Sequence, residues 1–474
     1  MIIPNKVALV KILDFYQKSS MFILVLVYSY IARILTIILK FLKVGNGTTW
    51  PGLFFEKLFP SAVSCLVNKE CKIIMISGTN GKTTTRSMLV KIYEDRGVLV
   101  CTNRGGANIF RGVASALLSN LNMLGQPKSK NIILEVEEAT MPILTKYIKP
   151  NKVILTNIFR DQMDAYGEID TTLKYFIETF NNLNSTNFDL IINKDDAKLL
   201  TILNQPRQNI NLIGYGINDT NAILPDYEMS DIKQNIEFTT ECIANNIVGK
   251  NLESYFDIVL YHKNANQEKS STFSIKTELL GVYNIYNILA AFVTTFDDFG
   301  TRIVDSLEGV KPVFGRGEKV LLPNGSQIIM LLVKNPAGMN QVFELIKTNF
   351  EAKGLSLNFL INDNIADGRD VSWLWDCNFE DLINNLDFEK TSSSVCFQTS
   401  GSRGLDMLLR LETAGAEVKL SDNFTNISDL VSDFVNKTNT SETQLVLATY
   451  TAMLEFRFEL GKFVKLGGIN AKGN

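Results

Sequence analysis

The chain has 474 residues, 46% of them hydrophobic, which is enough for two or three cored domains. Its net charge of −3 supplies no basic field for nucleic acid, and no nucleic-acid partner is expected. Six cysteines with no C-x-x-C pair argue against a disulfide framework or a zinc ribbon, leaving thiols in a reducing compartment.

The N-terminal stretch "MFILVLVYSYIARILTIIL" (21–39) is apolar apart from Arg33 and a few hydroxyl residues, with Lys18, Lys40 and Lys43 around it. It is about long enough to span a bilayer, although a central arginine weakens that reading. No signal-peptide cleavage site follows it. A span, a membrane-surface helix and a buried helix stay open, and membrane-surface contact through residues 21–43 is an expectation.

After the turn-rich "VGNGTTWPG", strand-like runs fall at 72–77, 98–102, 131–137, 152–158 and 188–193. Helix-like segments lie between most of them. Continuous apolar strands separated by helices predict a parallel sheet with helices on both faces. Residues 204–273 are rich in Asn, Asp and Thr and read as a β-rich insertion or sub-lobe, before the helix at 284–299 returns to the core. The single histidine, His262, lies in that polar stretch and reads as a surface residue. A second alternation places strands at 356–363, 394–401 and 443–450, with helices at 403–415 and 451–461. The expected organisation is an apolar helical segment over 1–60, a central α/β domain over 61–308 and a smaller, Rossmann-like α/β domain over 309–474.

Chemistry concentrates at three places. "GTNGKTT" puts Gly78, Thr79, Asn80, Gly81, Lys82, Thr83 and Thr84 between a strand and a helix. The pattern G-x-x-G-K-T is a shortened P-loop, with Ile76 where the first glycine usually stands. Glycines let backbone N–H groups close on phosphate at a helix N-terminus. Lys82 can reach terminal phosphates and the Thr83 hydroxyl can ligate Mg²⁺. "ILEVEEAT" places Glu135, Glu137 and Glu138 at a strand end, where ligands of parallel sheets gather. A two-residue period puts Glu135 and Glu137 on one face, and a carboxylate there suits Mg²⁺. "TNIFRDQMD" (156–164) and "NKDDA" (193–197) leave the next strands at the same edge, as ligand groups or as helix N-caps.

"GTNGKTTT", "TNIFRDQMD", "NKDD", "GVYNIYNILAA" and "GRGE", in this order, resemble the Mur ligase superfamily, whose members activate a carboxylate with ATP and then form an amide. The resemblance implies phosphate contacts for Lys82 and Arg316, Mg²⁺ ligation by Thr83 and Glu135, and a nucleotide contact for Asn284. Amino-acid-adding members write "D-H-M-D" where this chain has Gln162, and Lys174 is at no convincing spacing for a bridging carbamylated lysine. A second metal is therefore not assigned. The stretches "VKNPAGMNQV" (333–342) and "INDNIADGRDVSWLWDCNFE" (361–380) resemble the C-terminal domain of the MurT subunits of lipid II isoglutaminyl synthases. That family amidates the α-carboxylate of D-glutamate in the lipid II stem peptide to D-isoglutamine, through an acyl phosphate. Its ammonia comes from a partner, a GatD-type glutamine amidotransferase, in a heterodimer. The one histidine, His262, sits in a poor context for the usual cysteine–histidine route, so this chain is not expected to hydrolyse glutamine alone. In the family an Asp of "DGRD" completes the partner's catalytic pair; Asp370 matches it and Asp367 is the runner-up. Many members carry four zinc-binding cysteines in the insertion; this chain has only Cys242 there, so no zinc site is expected. ATP use places the catalytic domain in the cytoplasm, with association to the inner membrane face as a further expectation. Two other readings stand beside this one: a stand-alone Mur or folylpolyglutamate-type amino-acid ligase, and a non-catalytic nucleotide-binding scaffold.

Overall fold

A computed structural model describes residues 21–34, 50–103, 107–159, 169–204, 209–219, 236–250, 253–264, 267–312, 315–350, 354–386, 395–436 and 443–466. Two sheets organise it. The first is built from β1 (Lys72–Ser77), β2 (Val100–Thr102), β3 (Asn131–Glu135), β4 (Lys152–Leu155), β5 (Phe188–Asn193), β6 (Ile210–Ile217), β7 (Thr240–Lys250), β8 (Glu253–Asn264) and β9 (Gln267–Thr277). Their order is β2-β3-β1-β4-β5-β6-β7-β8-β9. Pairing is parallel from β2 through β7 and antiparallel from β7 to β9.

The central strand explains the layering. Successive side chains of β1 point to opposite faces, and the four between Lys72 and Ser77 are apolar. Ile73 and Met75 enter one core, with Phe55, Phe110 and Phe176. Ile74 and Ile76 enter the other, with Met88, Leu89 and Ile288. The Lys82–Glu94 and Val282–Phe299 helices therefore cover one face. The Phe110–Ser119 helix, the Trp50–Leu58 helix and a helix over 21–34 lie on the other.

Several boundaries differ from the sequence reading. β2 starts at Val100, and β3 stops at Glu135 because the Asn103 side chain takes over its backbone. Asn103 Oδ1 accepts the Glu135 N–H at 2.9 Å, and its Nδ2 donates to the Glu135 carbonyl at 2.7 Å. Glu137 lies past the strand, so the two-residue period does not relate it to Glu135. The β-rich stretch 204–273 does not stand apart either, since β6 to β9 continue the main sheet. Towards the end of β9 the faces separate, with Ser274 and Lys276 exposed on one of them. Phe273 on the other packs against Phe292 and Phe296 of the Val282–Phe299 helix, ring centroids 5.3 Å apart. An antiparallel extension can leave one face in water where a parallel centre cannot. His262 is half-buried in β8, its Nδ1 3.3 Å from the Thr240 hydroxyl on β7.

The second sheet comprises β10 (Arg316–Leu321), β11 (Gln327–Leu332), β12 (Leu355–Leu360), β13 (Cys396–Ser400), β14 (Asn423–Phe424) and β15 (Thr443–Ala448), in the order β10-β11-β15-β12-β13-β14. All its pairs are parallel except the β10–β11 hairpin, which the sequence reading did not contain. Leu357, Phe359, Leu445 and Leu447 fill one face and Val446 and Ala448 the other. Among the described residues no helix is long and apolar enough to cross a membrane.

Phe359 is fully buried, its ring 5.7 Å from that of Phe379, which in turn meets Phe343 edge-on at 4.8 Å. Phe359→Ala is expected to cost roughly 3–5 kcal/mol through lost transfer energy and the cavity left. The midpoint of urea unfolding of the second sheet's domain reads it out; a shift worth under about 1 kcal/mol contradicts this packing.

Candidate active site

The β1–helix turn is held open by glycines and pinned by asparagines. Gly78 and Gly81 adopt φ of 123° and 87°, which side-chain-bearing residues rarely take. There is also no space for a side chain. A Cβ at Gly78 would lie 2.3 Å from Thr156 Oγ1, and one at Gly81 2.2 Å from Asn287 Oδ1. Asn157, just past β4, grips the loop from the neighbouring strand. Its carbonyl accepts the Thr79 N–H at 2.9 Å, its Oδ1 accepts the Asn80 N–H at 2.9 Å, and its Nδ2 donates to the Asn80 carbonyl at 3.2 Å. The Thr79 hydroxyl accepts the Phe159 N–H at 3.0 Å.

With the N–H groups of Thr79 and Asn80 so used, the anion-binding capacity falls to the first turn of the Lys82–Glu94 helix. The leading N–H groups of a helix have no intrahelical acceptor, and the N-cap Gly81 has no side chain to supply one. They carry the positive end of the helix dipole. Two polar atoms of the turn, Ser77 Oγ and Asn80 Nδ2, are buried without a hydrogen-bond partner. Buried polar atoms of this kind call for a ligand or water. The cradle thus fits a phosphate chain.

Two acids and two cations surround it. Lys82 donates to Glu138 at 2.8 Å, to the Thr79 carbonyl at 3.2 Å and to the Gly78 carbonyl. The Thr83 hydroxyl meets Glu135 Oε1 at 3.0 Å, and Arg86 Nε lies 3.7 Å from Glu135 Oε2. Glu135 and Glu138 are both buried. Two oxygens at about 2.1 Å in adjacent positions of an Mg²⁺ octahedron lie about 3.0 Å apart. The Thr83–Glu135 pair therefore fits that ion, with the remaining positions left to phosphate and water.

Behind the loop stands the Val282–Phe299 helix. Asn287 accepts from the Thr85 hydroxyl at 3.2 Å and donates to Asn284 Oδ1 at 3.4 Å; Asn284 donates to the Leu280 carbonyl at 2.7 Å. Asn287 is thus the residue against the loop, and Asn284 is buried one step behind it. Asp196 caps its short helix through Leu199 N–H at 2.8 Å and holds Ile158 N–H at 2.7 Å. Asp195 accepts from Tyr286 at 2.8 Å and from Ile217 N–H at 2.7 Å, and burial pushes its carboxyl above the usual range.

The structure thus brings Gly78 to Thr84, Glu135 and, through Asn287, Asn284 to one place. The sequence reading gave no role to Glu138, Asn287, Asn103 or Arg86. Glu138 and Asn287 stood inside quoted motifs, but nothing in their spacing marked their partners. Arg160, Asp161, Gln162 and Asp164 lie outside the described residues, as does the Arg316 side chain. The backbone of Arg316 opens β10 at a bulge. Lys174 is exposed on the Ile169–Asn182 helix.

Asp370 and Asp367 belong to the second sheet's edge and differ sharply. Asp367 is buried and accepts from Thr451 N–H at 2.7 Å and from the Thr451 hydroxyl, which anchors the Tyr450–Leu460 helix. Asp370 is exposed. Its Oδ1 accepts the Ser372 N–H at 2.8 Å, and this bond holds its carboxyl below the usual range.

Residues 76–295 match the family Mur ligase middle domain, and residues 332–453 match MurT ligase C-terminal. The chain is 30% identical over 444 residues to the lipid II isoglutaminyl synthase (glutamine-hydrolyzing) subunit MurT of Streptococcus pneumoniae (strain ATCC BAA-255 / R6), covering 88% of this chain and 92% of that one. It is 29% identical over 399 residues to the MurT subunit of Staphylococcus aureus (strain N315), covering 79% and 85%. Among solved structures, MurF from Acinetobacter baumannii superposes with a TM-score of 0.62 at 17% identity, covering 87% of this chain and 81% of that one. MurF from Thermotoga maritima gives 0.60 at 13%, covering 87% and 84%. At these identities the two structures show the fold alone.

Gly81→Ala is expected to weaken ATP binding by about tenfold or more, since a methyl group needs both a disfavoured φ and the space of Asn287. Titration calorimetry with Mg²⁺-ATP measures it, with circular dichroism to check the fold. Affinity unchanged in a folded variant would show that the turn does not hold the phosphates.

Proposed function

The chain belongs to the Mur ligase superfamily and within it to the MurT family, a family of ligases, and on that premise we propose that it amidates lipid II. The substrate is the α-carboxylate of D-glutamate in the lipid II stem peptide, and the product is D-isoglutamine. The observation that carries this reading is the extent of the likeness. It runs over 92% of a MurT subunit whose name states that activity, and it includes the C-terminal domain.

The proposed chemistry has two steps. The D-glutamate carboxylate oxygen attacks the γ-phosphorus of ATP, the bond to the bridging oxygen breaks, and ADP leaves. Ammonia then adds to the acyl phosphate carbonyl, loses a proton, and expels inorganic phosphate. A carboxylate is a poor electrophile until its oxygen is made a leaving group. Positioning and neutralisation of phosphate charge account for the acceleration. In this chain the first turn of the Lys82–Glu94 helix and the Lys82 ammonium face the phosphates. Arg316 is assigned to the same role by its motif. Thr83 and Glu135 would hold Mg²⁺, which would supply neutralisation of phosphate charge. Asn287, supported by Asn284, keeps the turn in place.

Ammonia is proposed to come from a GatD-type glutaminase bound as a heterodimer. An exposed, anionic Asp370 suits a residue that orients the histidine of another subunit, and a buried Asp367 spent on Thr451 does not. ATP use and a lipid-linked precursor both support a location on the cytoplasmic side of the membrane.

Mass spectrometry of lipid II incubated with the protein, Mg²⁺-ATP and either ammonium, or glutamine plus the glutaminase, tests the reading. Conversion of the D-glutamate carboxylate to an amide is expected with both nitrogen sources. Asp370→Asn is expected to lower the glutamine-driven rate by about 10³-fold or more. The ammonium-driven rate should stay within about twofold. No amide from any source, with ATP bound, sinks the amidation; addition of an amino acid without a partner favours a stand-alone ligase instead.

A further inference from the structure

The helix over residues 21–34 is apolar on both sides and buries only one. Val25, Ser29 and Ala32 are buried. Tyr28 packs on Phe55 and Phe59, with ring centroids 5.6 and 6.2 Å away. Arg33 donates to the carbonyls of Leu121 and Asn122, the latter at 3.0 Å, so this side is firmly seated on the first domain. The opposite side presents Ile23, Leu24, Val27, Ile31 and Ile34 to solvent, Ile23 at 60% and Ile34 at 58% exposure. The surface continues past the helix. Met123 and Leu124 are exposed on the adjoining turn, where the Met123 carbonyl accepts from Tyr30 at 2.6 Å. Trp50 and Phe54 are exposed on the helix whose Pro51 carbonyl accepts from Tyr28. A helix facing water normally turns polar residues outward, and a large contiguous apolar face marks an interaction site.

Charge selects the occupant. Residues 1–49 carry six cationic side chains and one acidic one, a net of +5 in a chain whose total is −3. An apolar face inside a cationic segment matches an anionic lipid surface, the pattern of helices that lie in the membrane interface. The inner side of the described helix is seated on the first domain through Tyr28 and Arg33, so one side alone is free to meet lipid, as in a helix that lies in the plane of a bilayer. We propose that this face docks in the plane of an anionic bilayer, its Ile23–Ile34 side immersed. The proposal stands on exposure and charge and not on the amidation reaction. If both hold, docking brings the phosphate-binding turn to the membrane that carries the substrate.

Flotation of the full-length protein with vesicles tests it. One set is phosphatidylcholine with phosphatidylglycerol, the other phosphatidylcholine alone; neither contains lipid II, so the outcome is independent of the reaction. Binding to the anionic vesicles is expected, with several-fold less on neutral ones and a decline with salt. The double substitution Val27→Asp, Ile31→Asp is expected to cut the bound fraction about tenfold while the thermal shift on adding Mg²⁺-ATP is unchanged. Should that variant not fold, Lys40→Gln with Lys43→Gln tests the same docking through charge and should weaken binding severalfold. Folded, ATP-binding protein that floats with neither vesicle overturns the proposal, and the face is then covered by other parts of the chain. A dimer in light scattering that dissociates in the double variant, without vesicle binding, overturns it in favour of a copy–copy interface.

Discussion

The turn after β1 leaves room for a hydrogen atom and nothing larger between Gly81 and Asn287. Much else follows from that contact. The Val282–Phe299 helix can approach the loop this closely only because position 81 has no Cβ. The close approach lets Asn287 reach Thr85 and relay through Asn284 to the Leu280 carbonyl. Leu280 itself belongs to the apolar cluster of the second sheet's domain. One buried line of polar contacts thus joins the phosphate-binding turn to the junction of the two domains. Buried amides that satisfy one another in this way specify a single arrangement of their elements, because each broken bond leaves a polar atom unpaired in a low-dielectric interior.

The acids at the mouth obey the same rule. Glu135 and Glu138 are buried, and isolated burial of either charge would be costly. Glu138 is paired with Lys82, and Glu135 with Arg86 and the Thr83 hydroxyl. These pairs leave the site nearly balanced in local charge while keeping both signs within reach of a phosphate chain. In the proposed reaction, phosphate oxygens compete with Glu138 for Lys82, and a cation held by both Thr83 and Glu135 would replace the hydrogen bond between them. The pairs are therefore better read as stand-ins for ligands than as stabilising bonds, since a buried ion pair barely repays its desolvation.

Much of this was legible in the sequence for a physical reason. Strands buried on both faces must be apolar throughout, so β1, β3, β4 and β5 appear as uninterrupted runs, and G-x-x-G-K-T is readable because each residue answers a local need of phosphate binding. What stayed hidden depends on neighbours distant in the chain. The end of β3 is set by Asn103, 32 residues away; the loop is pinned by Asn157, 77 residues from Asn80. β6 to β9 looked like a separate lobe because a strand with one wet face carries as many polar residues as a loop-rich insertion. Only pairing with β5 makes it part of the main sheet.

The same distinction separates the two aspartates of "DGRD". Sequence spacing treats Asp367 and Asp370 alike, three residues apart in a polar loop. The fold gives Asp367 a structural task on Thr451 and leaves Asp370 at the surface, its charge held by one backbone N–H. A carboxylate that orients a histidine in another protein must be exposed before assembly and ionised at neutral pH, and it must be positioned by its own backbone, since the partner cannot do so in advance. Asp370 meets all three conditions. With His262 half-buried in β8 opposite Thr240, this chain has no histidine of its own at that edge, so in the proposed reaction the histidine that Asp370 orients comes from the partner.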